Sequence, residues 1–198
     1  MPTCLRRHPQ QQRSRDRVDL ILDSAALLLA SSGPNGTTIT AVAEQTGLPT
    51  SSIYDYVLSE RELIGAVAER GLDRIHQDLV DEVGEPASTA DLRASLTACL
   101  HLFLERYQTD PGLREALAFV DADPQLMQIN LADTRRNADV IHAAIVGLDP
   151  GADVASAVLL LTHLSGSLAG LAARVTAVEA DDLVAQFERL LLLLLSGP

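Results

Sequence analysis

Hydroxyl side chains crowd one short stretch of the chain, TITAVAEQTGLPTSSIYDYV, from Thr38 to Val57. Thr50, Ser51 and Ser52 follow Pro49 directly, and Tyr54 and Tyr56 come just after them. Short hydroxyls both donate and accept hydrogen bonds, and a tyrosine carries its hydroxyl at the end of a rigid ring. Such a set suits phosphate oxygens and base edges. It does not suit catalysis. The histidines are scattered, no glycine-rich phosphate loop occurs, and no Ser-His-Asp or Cys-His set assembles from the spacing. Asp121 and Asp123 before Pro124 read as a helix-end turn, and Asp149-Pro150-Gly151-Ala152-Asp153 as a turn between helices. The expectation is a non-enzyme without cofactor or metal.

Two short helices joined by a tight turn would position these hydroxyls. Ile39, Val42, Ala43 and Thr46 fall at helical spacing, with Thr38 where an N-cap side chain satisfies the first free amides. Gly47 supplies the left-handed residue that ends a helix, and Pro49 cannot continue it. The second helix starts from Thr50, Ser51 and Ser52 and packs Ile53 and Val57 inward. Thr50, Ser51, Ser52, Tyr54, Asp55 and Tyr56 remain at its start or on its outer face. This is the helix-turn-helix plan.

From Asp16 to about Arg70 the sequence resembles the DNA-binding domain of TetR-family transcriptional regulators. The resemblance is carried by Val18, Ile21, Leu22, Ala25, Ala26 and Leu29, by Gly36-Thr37-Thr38-Ile39, by Val42-Ala43 and Gly47, by Tyr54-x-Tyr56-Val57, and by Ser59-x-x-Glu62-Leu63. It implies an all-α protein of about nine helices: an N-terminal three-helix DNA-binding domain, then a helical domain for ligand binding and dimerisation. By position, it implies that Thr38, Thr40, Tyr54 and Tyr56 meet phosphates and that Thr50, Ser51 and Ser52 reach base edges. Tyr54 as a core residue with only its hydroxyl exposed is the competing reading. Two positions depart from the family pattern. Glu60 stands where relatives usually carry a lysine directed at phosphate, and Asp55 lies inside the recognition helix, where a carboxylate is repelled by phosphate unless it accepts from cytosine. Arg61 and the N-terminal arginines are expected to offset these losses.

The formal net charge of −12 argues against nucleic acid only until its distribution is considered. Arg6, Arg7, Arg13, Arg15 and Arg17 stand against Asp16 alone, so the first residues form a basic arm. The chain contains no lysine, and every basic side chain presents the planar guanidinium fork that suits phosphate. Two cysteines, Cys4 and Cys99, make neither a disulfide framework nor a metal site, which fits a reducing cytoplasm. Val154 to Ala173 is uncharged and about as long as a span of ~20 residues. His163, Thr162 and three serines make it a poor one, and a helix apolar all round is also what a buried interface produces.

In chain order, a flexible basic arm is expected over 1–14, the DNA-binding domain over 15–58, a linking helix over 59–83, and the effector and dimerisation domain over 84–198. The first helix runs from about 15 to 32 and ends at Ser32-Gly33-Pro34-Asn35-Gly36. Ser59 and Glu62 form a capping box for the fourth. Gly84-Glu85-Pro86-Ala87-Ser88 marks the domain boundary, and helices follow over 89–108, 112–121, 124–147, 152–175 and 180–196. The eighth carries a small-residue patch, Ser165, Gly166, Ser167, Ala169 and Gly170, and the ninth ends in the run Leu190 to Leu195. Either both finish a monomer's core or they pair with a second copy; the resemblance implies a homodimer through these two helices. A palindromic double-stranded DNA operator would follow.

The resemblance also implies a small-molecule effector held among helices 5 to 8. Phe103, Tyr107, Phe119, Met127, Asn130, His142 and His163 are the residues offered by type as an apolar lining with a few polar points. Phe103, Tyr107 and His163 at this spacing read more readily as core. With 3% aromatics the cavity would be mostly aliphatic, favouring a hydrophobic effector. The function expected is thus a dimeric repressor released from its operator by that effector. The alternative is a TetR-like helical dimer that has lost DNA binding and acts through protein partners.

Overall fold

The computed structural model describes residues 4–5, 12–151 and 153–194, and every regular element among them is an α-helix. In order these are α1 (Gln12–Gly36), α2 (Ile39–Thr46), α3 (Thr50–Tyr54), α4 (Glu60–Val83), α5 (Thr89–Thr109), α6 (Pro111–Ala122), α7 (Met127–Leu148), α8 (Ala155–Ala172) and α9 (Ala177–Leu194). They fall into two compact units: Met1–Arg74 with Thr109–Asn130, and Ile75–Gln108 with Leu131–Pro198.

The first unit is built on the stripe Val18, Ile21, Leu22, Ala25 and Leu29 of α1, which buries against α2 and α6. α1 begins at Gln12, earlier than its sequence pattern indicates, so Arg13, Arg15 and Arg17 lie on its first turns with their side chains exposed. Arg6 and Arg7 lie outside the described residues. Gly33 at φ 66° interrupts the helix and Pro34 follows it, where the sequence places the turn. α6 packs so tightly that a Cβ on Gly112 would sit 2.5 Å from the Ala26 carbonyl oxygen.

In the second unit Leu79, Val83, Leu92, Leu96, Ala138, Ile145 and Val158 form the core, with Cys99 and Ile141 packed against it. Helix ends here follow their polar residues. Thr176 accepts from the Glu179 N–H at 3.4 Å and donates its own N–H and hydroxyl to the Glu179 carboxylate at 3.0 and 2.7 Å, so α9 starts ahead of the expected Ala180. The same bonds hold the Glu179 carboxyl below its ordinary pKa. α8 is shorter than its apolar pattern; its expected start at Ala152 and the expected end of α9 at Ser196 fall outside the described residues.

Candidate functional site

Thr38 caps α2, its Oγ1 accepting the Ala41 N–H at 3.1 Å, and Gly47 closes the helix at φ 70°. α3 then rises from Pro49 as a single short helix, anchored by the fully buried Ile53 and Val57. That anchoring turns Thr40, Thr50, Ser51 and Tyr54 outward, with Tyr54 46% exposed, while Thr38 and Ser52 are half-buried. Asp55 is also exposed and ends α3. These hydroxyls are therefore open to a partner, and Tyr54 is not a core residue.

Tyr56 departs from the outer-face placement. It is 6% exposed, and its hydroxyl shares a hydrogen bond of 3.0 Å with Ser14 Oγ of α1. The chain turns at residues 55 and 56 instead of continuing as helix, and this swings Tyr56 inward beside Val57. Its hydroxyl ties the start of α1 to the end of the reading unit.

Of the two charged departures, Glu60 has a local partner and Asp55 stands exposed. Glu60 accepts the Ile39 N–H at 3.4 Å, a free amide at the start of α2, where a carboxylate also meets the favourable end of the helix dipole. Ser59 Oγ accepts the Glu62 N–H at 3.2 Å, and Glu62 takes the Leu58 N–H at 2.7 Å. This is the expected cap, displaced by one residue on its return bond. Arg61 does not stand ready for phosphate: its Nε lies 2.8 Å from Asp123 Oδ2 and its Nη1 donates to Gln125 Oε1.

The proposed ligand residues do not assemble. Phe119, Met127 and Asn130 belong to the first unit; Met127 is exposed and Asn130 donates to Asp121 at 2.6 Å. His163 is exposed, and His142 lines a separate open pocket with Arg135, Asp139 and Ser156. A half-open cavity of about 100 Å³ does lie in the second unit, and of the seven only Phe103 lines it. Tyr107 is buried and meets Phe103 edge-on, ring centres 6.2 Å apart. The other walls come from Leu96, Cys99 and Leu100 of α5, Ile75, Asp78 and Leu79 of α4, Asn137 and Ile141 of α7, Val158, Leu161, Thr162 and Ser165 of α8, and Phe187 and Leu191 of α9. The correction has a simple cause. Helical spacing tells which face of a helix is buried, not which unit it is buried in.

Next to this cavity runs a chain of polar contacts. Asn137 donates from Nδ2 to Asp133 Oδ2 at 2.9 Å, which leaves its Oδ1 to accept from His76 Nδ1 at 2.6 Å. His76 therefore carries its proton on Nδ1. Arg136 Nε donates to Asp133 Oδ1 at 2.8 Å. Sequence reasoning missed these residues, although Asp133 and Asn137, four apart on an otherwise amphipathic helix, carry the signal of a buried polar pair. No group of three or more potential metal ligands occurs among the described residues.

A helix-turn-helix with exposed hydroxyls, joined in one chain to an all-helical unit with a mostly apolar cavity, is the plan of a helical DNA-binding regulator. A family model described as the tetracyclin repressor-like C-terminal domain matches residues 90–197, more than half of the chain. The chain belongs to the TetR family of transcriptional regulators. No curated protein matches the sequence significantly. Among solved structures, a TetR-family regulator of Streptomyces coelicolor is similar with a TM-score of 0.71 at 23% identity, covering 93% of this chain and 98% of its own. A putative TetR-family regulator of Syntrophomonas wolfei gives 0.72 at 14% identity over 92% and 96%. SmeT of Stenotrophomonas maltophilia, the repressor of the multidrug efflux pump SmeDEF, gives 0.64 at 19% identity over 93% and 89%, and a complex of SmeT with triclosan is also similar. At these identities the likeness is one of fold.

Proposed function

We propose that this chain is a dimeric, sequence-specific DNA-binding regulator acting in the cytoplasm, a repressor released from a palindromic operator when a small molecule occupies the cavity of its second unit. The observation that carries this reading is the outward set Thr40, Thr50, Ser51 and Tyr54 on a rigidly capped helix-turn-helix. Hydroxyls give modest discrimination at each base, so specificity would come from several contacts and from two copies of the reader. That SmeT is a repressor and forms a complex with triclosan supports the same division of labour.

Dimerisation rests on α8 and α9. Only 22% of α8 is buried within the chain, and Leu160 and Leu193 are 57% and 69% exposed. Apolar surface of this extent is covered in stable proteins, at ~25 cal/mol gained per Å² removed from water. A second copy applied through a two-fold axis covers both helices at once and sets two readers about one DNA turn, ~34 Å, apart. Selection from a random duplex library at two salt concentrations tests the function. A palindromic motif with half-sites one turn apart is expected.

A second reading has its own observation. No basic side chain occurs between Arg17 and Arg61 in sequence, so α2 and α3 present Glu44 and Asp55 without a counter-charge of their own. If folded protein recovers no motif at either salt, the chain is a DNA-silent dimer acting on protein partners.

A further inference from the structure

We propose that the cavity of the second unit is built for a ligand with an apolar body and one cationic, hydrogen-bond-donating head, an amine in its protonated form. This deepens the effector reading above and rests on it.

The inference comes from counting hydrogens. Thr162 Oγ1 donates to the Val158 carbonyl at 2.8 Å and Ser165 Oγ to the Thr162 carbonyl at 2.7 Å. Each hydroxyl has a single hydrogen, and both are directed into the backbone of α8, so what these side chains offer the cavity is lone pairs. Asn137 gives one amide hydrogen to Asp133, and its carbonyl, already accepting from His76, keeps a second lone pair. Asp78 is the one formally charged residue of the lining. Its Oδ2 is buried and meets Arg106 Nε at 2.6 Å without hydrogen-bonded alignment, and a carboxylate accepts at several sites besides. Arg106 is not among the lining residues.

The lining is therefore rich in acceptors. Against the Asp78 carboxylate, the two hydroxyl oxygens and the Asn137 carbonyl stand one remaining Asn137 N–H and the weak Cys99 thiol. Cys99 sits near that carboxylate. Its thiol is pushed up to about 12, first by burial and then by the negative charges of Glu82 and Asp78. An anionic head would face a carboxylate and lone pairs, the nearby Arg106 guanidinium being outside the lining and already held by Asp78, and burying such a head unpaired is unfavourable. A protonated amine can donate to Asp78, Thr162 and Ser165 while its chain lies against Leu79, Leu96 and Phe103. The volume holds several water-sized groups, which suits a slender ligand over a fused aromatic one.

Octylamine, octanol and octanoate share one chain and differ only in the head, so they are the probes. Affinity for the purified full chain at neutral pH is measured by titration calorimetry and by the shift of the thermal midpoint. Octylamine is expected to bind tightest, by about tenfold or more over octanol, the scale of one charge-assisted hydrogen bond, with octanoate weakest. Asp78→Asn, checked for helical content, should remove most of the amine's advantage and leave octanol near its original affinity. If that variant does not fold, Thr162→Val should still weaken octylamine. Octanoate binding as tightly as octylamine, an amine affinity untouched by either variant, or no binding by any of the three overturns the proposal. Competition with a labelled random-sequence duplex separates the two readings. Octylamine that binds without altering DNA affinity leaves the cavity chemistry standing and removes the effector role, whereas release by octanoate alone does the reverse.

Discussion

Arg61 Nε lies 2.8 Å from Asp123 Oδ2, the residue that ends α6, and the same guanidinium reaches Gln125 in the turn that follows. Asp123 is itself set for this contact, because its other oxygen accepts the Gln125 N–H at 2.8 Å. A guanidinium fork held by a carboxylate is occupied in the way a phosphate would occupy it. Arg61→Ala is therefore expected to change affinity for duplex DNA little. Asp123→Ala should instead strengthen it and steepen the dependence of log K on log salt by about 0.9, the increment of one phosphate contact. Fluorescence anisotropy of a labelled duplex across a salt series measures both. A large loss in Arg61→Ala, with Asp123→Ala unchanged, would mean the arginine serves DNA directly.

With Arg61 engaged, the arginines left to meet phosphate in the proposed complex would be those of α1. Arg13, Arg15 and Arg17 are exposed on its first turns. Replacing all three by glutamine should weaken DNA binding and lower the salt slope by up to about 2.7, three contacts at ~0.9 each. Substitution is a cleaner test than truncating residues 1–14. Residues 4 and 5 have a structural role: Leu5 is buried and the Cys4 N–H donates to Glu69 at 2.8 Å. Equal slopes for the variant and the parent would remove α1 from the interface.

Tyr56 separates two roles that the sequence leaves fused. Losing its hydroxyl bond to Ser14 should destabilise the protein by about 1 kcal/mol in either Tyr56→Phe or Ser14→Ala, with little further loss when both are changed. Denaturant unfolding of the two singles and the double gives the coupling. If Tyr56 also meets phosphate, Tyr56→Phe will weaken DNA binding well beyond Ser14→Ala; equal effects mean that the bond acts only by placing α1.

These contrasts show where sequence reasoning reaches and where it stops. Thr38, Gly47, Ile53 and Val57 were legible because caps, left-handed glycines and helical spacing are decided within a few residues of chain. The pairing of Arg61 escapes the sequence because its partner lies sixty-odd positions away, and nothing local names Asp123. The cavity failed for the same reason. Phe119, Met127 and Asn130 have suitable chemistry, yet α6 and the first residues of α7 belong with the DNA-reading unit. Thr162 and Ser165 stand out in the sequence only as marks against a membrane span and, for Ser165, as part of a small-residue patch; nothing local places them on the cavity wall.

Gly112 tests the packing of α1 on α6. A Cβ there would lie 2.5 Å from the Ala26 carbonyl oxygen and 3.2 Å from its Cα, both backbone atoms that cannot swing aside. Gly112→Ala should cost about 1–3 kcal/mol, the usual penalty of overpacking, although alanine is the better helix former. The urea midpoint reads it directly. A variant as stable as the parent would show that the two helices move apart at no cost.

Alkaline pH provides the remaining test, through the two cysteines. Burial, joined by the Glu69 carboxylate beside Cys4 and by Glu82 and Asp78 near Cys99, raises both thiols from 9.0 to about 12. A folded state that holds its proton more tightly than the unfolded chain gains stability below the unfolded pKa and loses it as pH rises through the folded one. The contribution is thus whole below pH 9.0 and declines between there and about 12. The thermal midpoint of the parent should fall across this window more steeply than that of the Cys4→Ala, Cys99→Ala double variant, whose absolute stability is lower because Cys99→Ala enlarges the cavity. Iodoacetamide, which needs the thiolate, should label the folded parent only slowly at pH 9 and rapidly once it is unfolded. Parallel midpoint curves, together with fast labelling of the folded chain, would mean that neither thiol is shielded as its surroundings require.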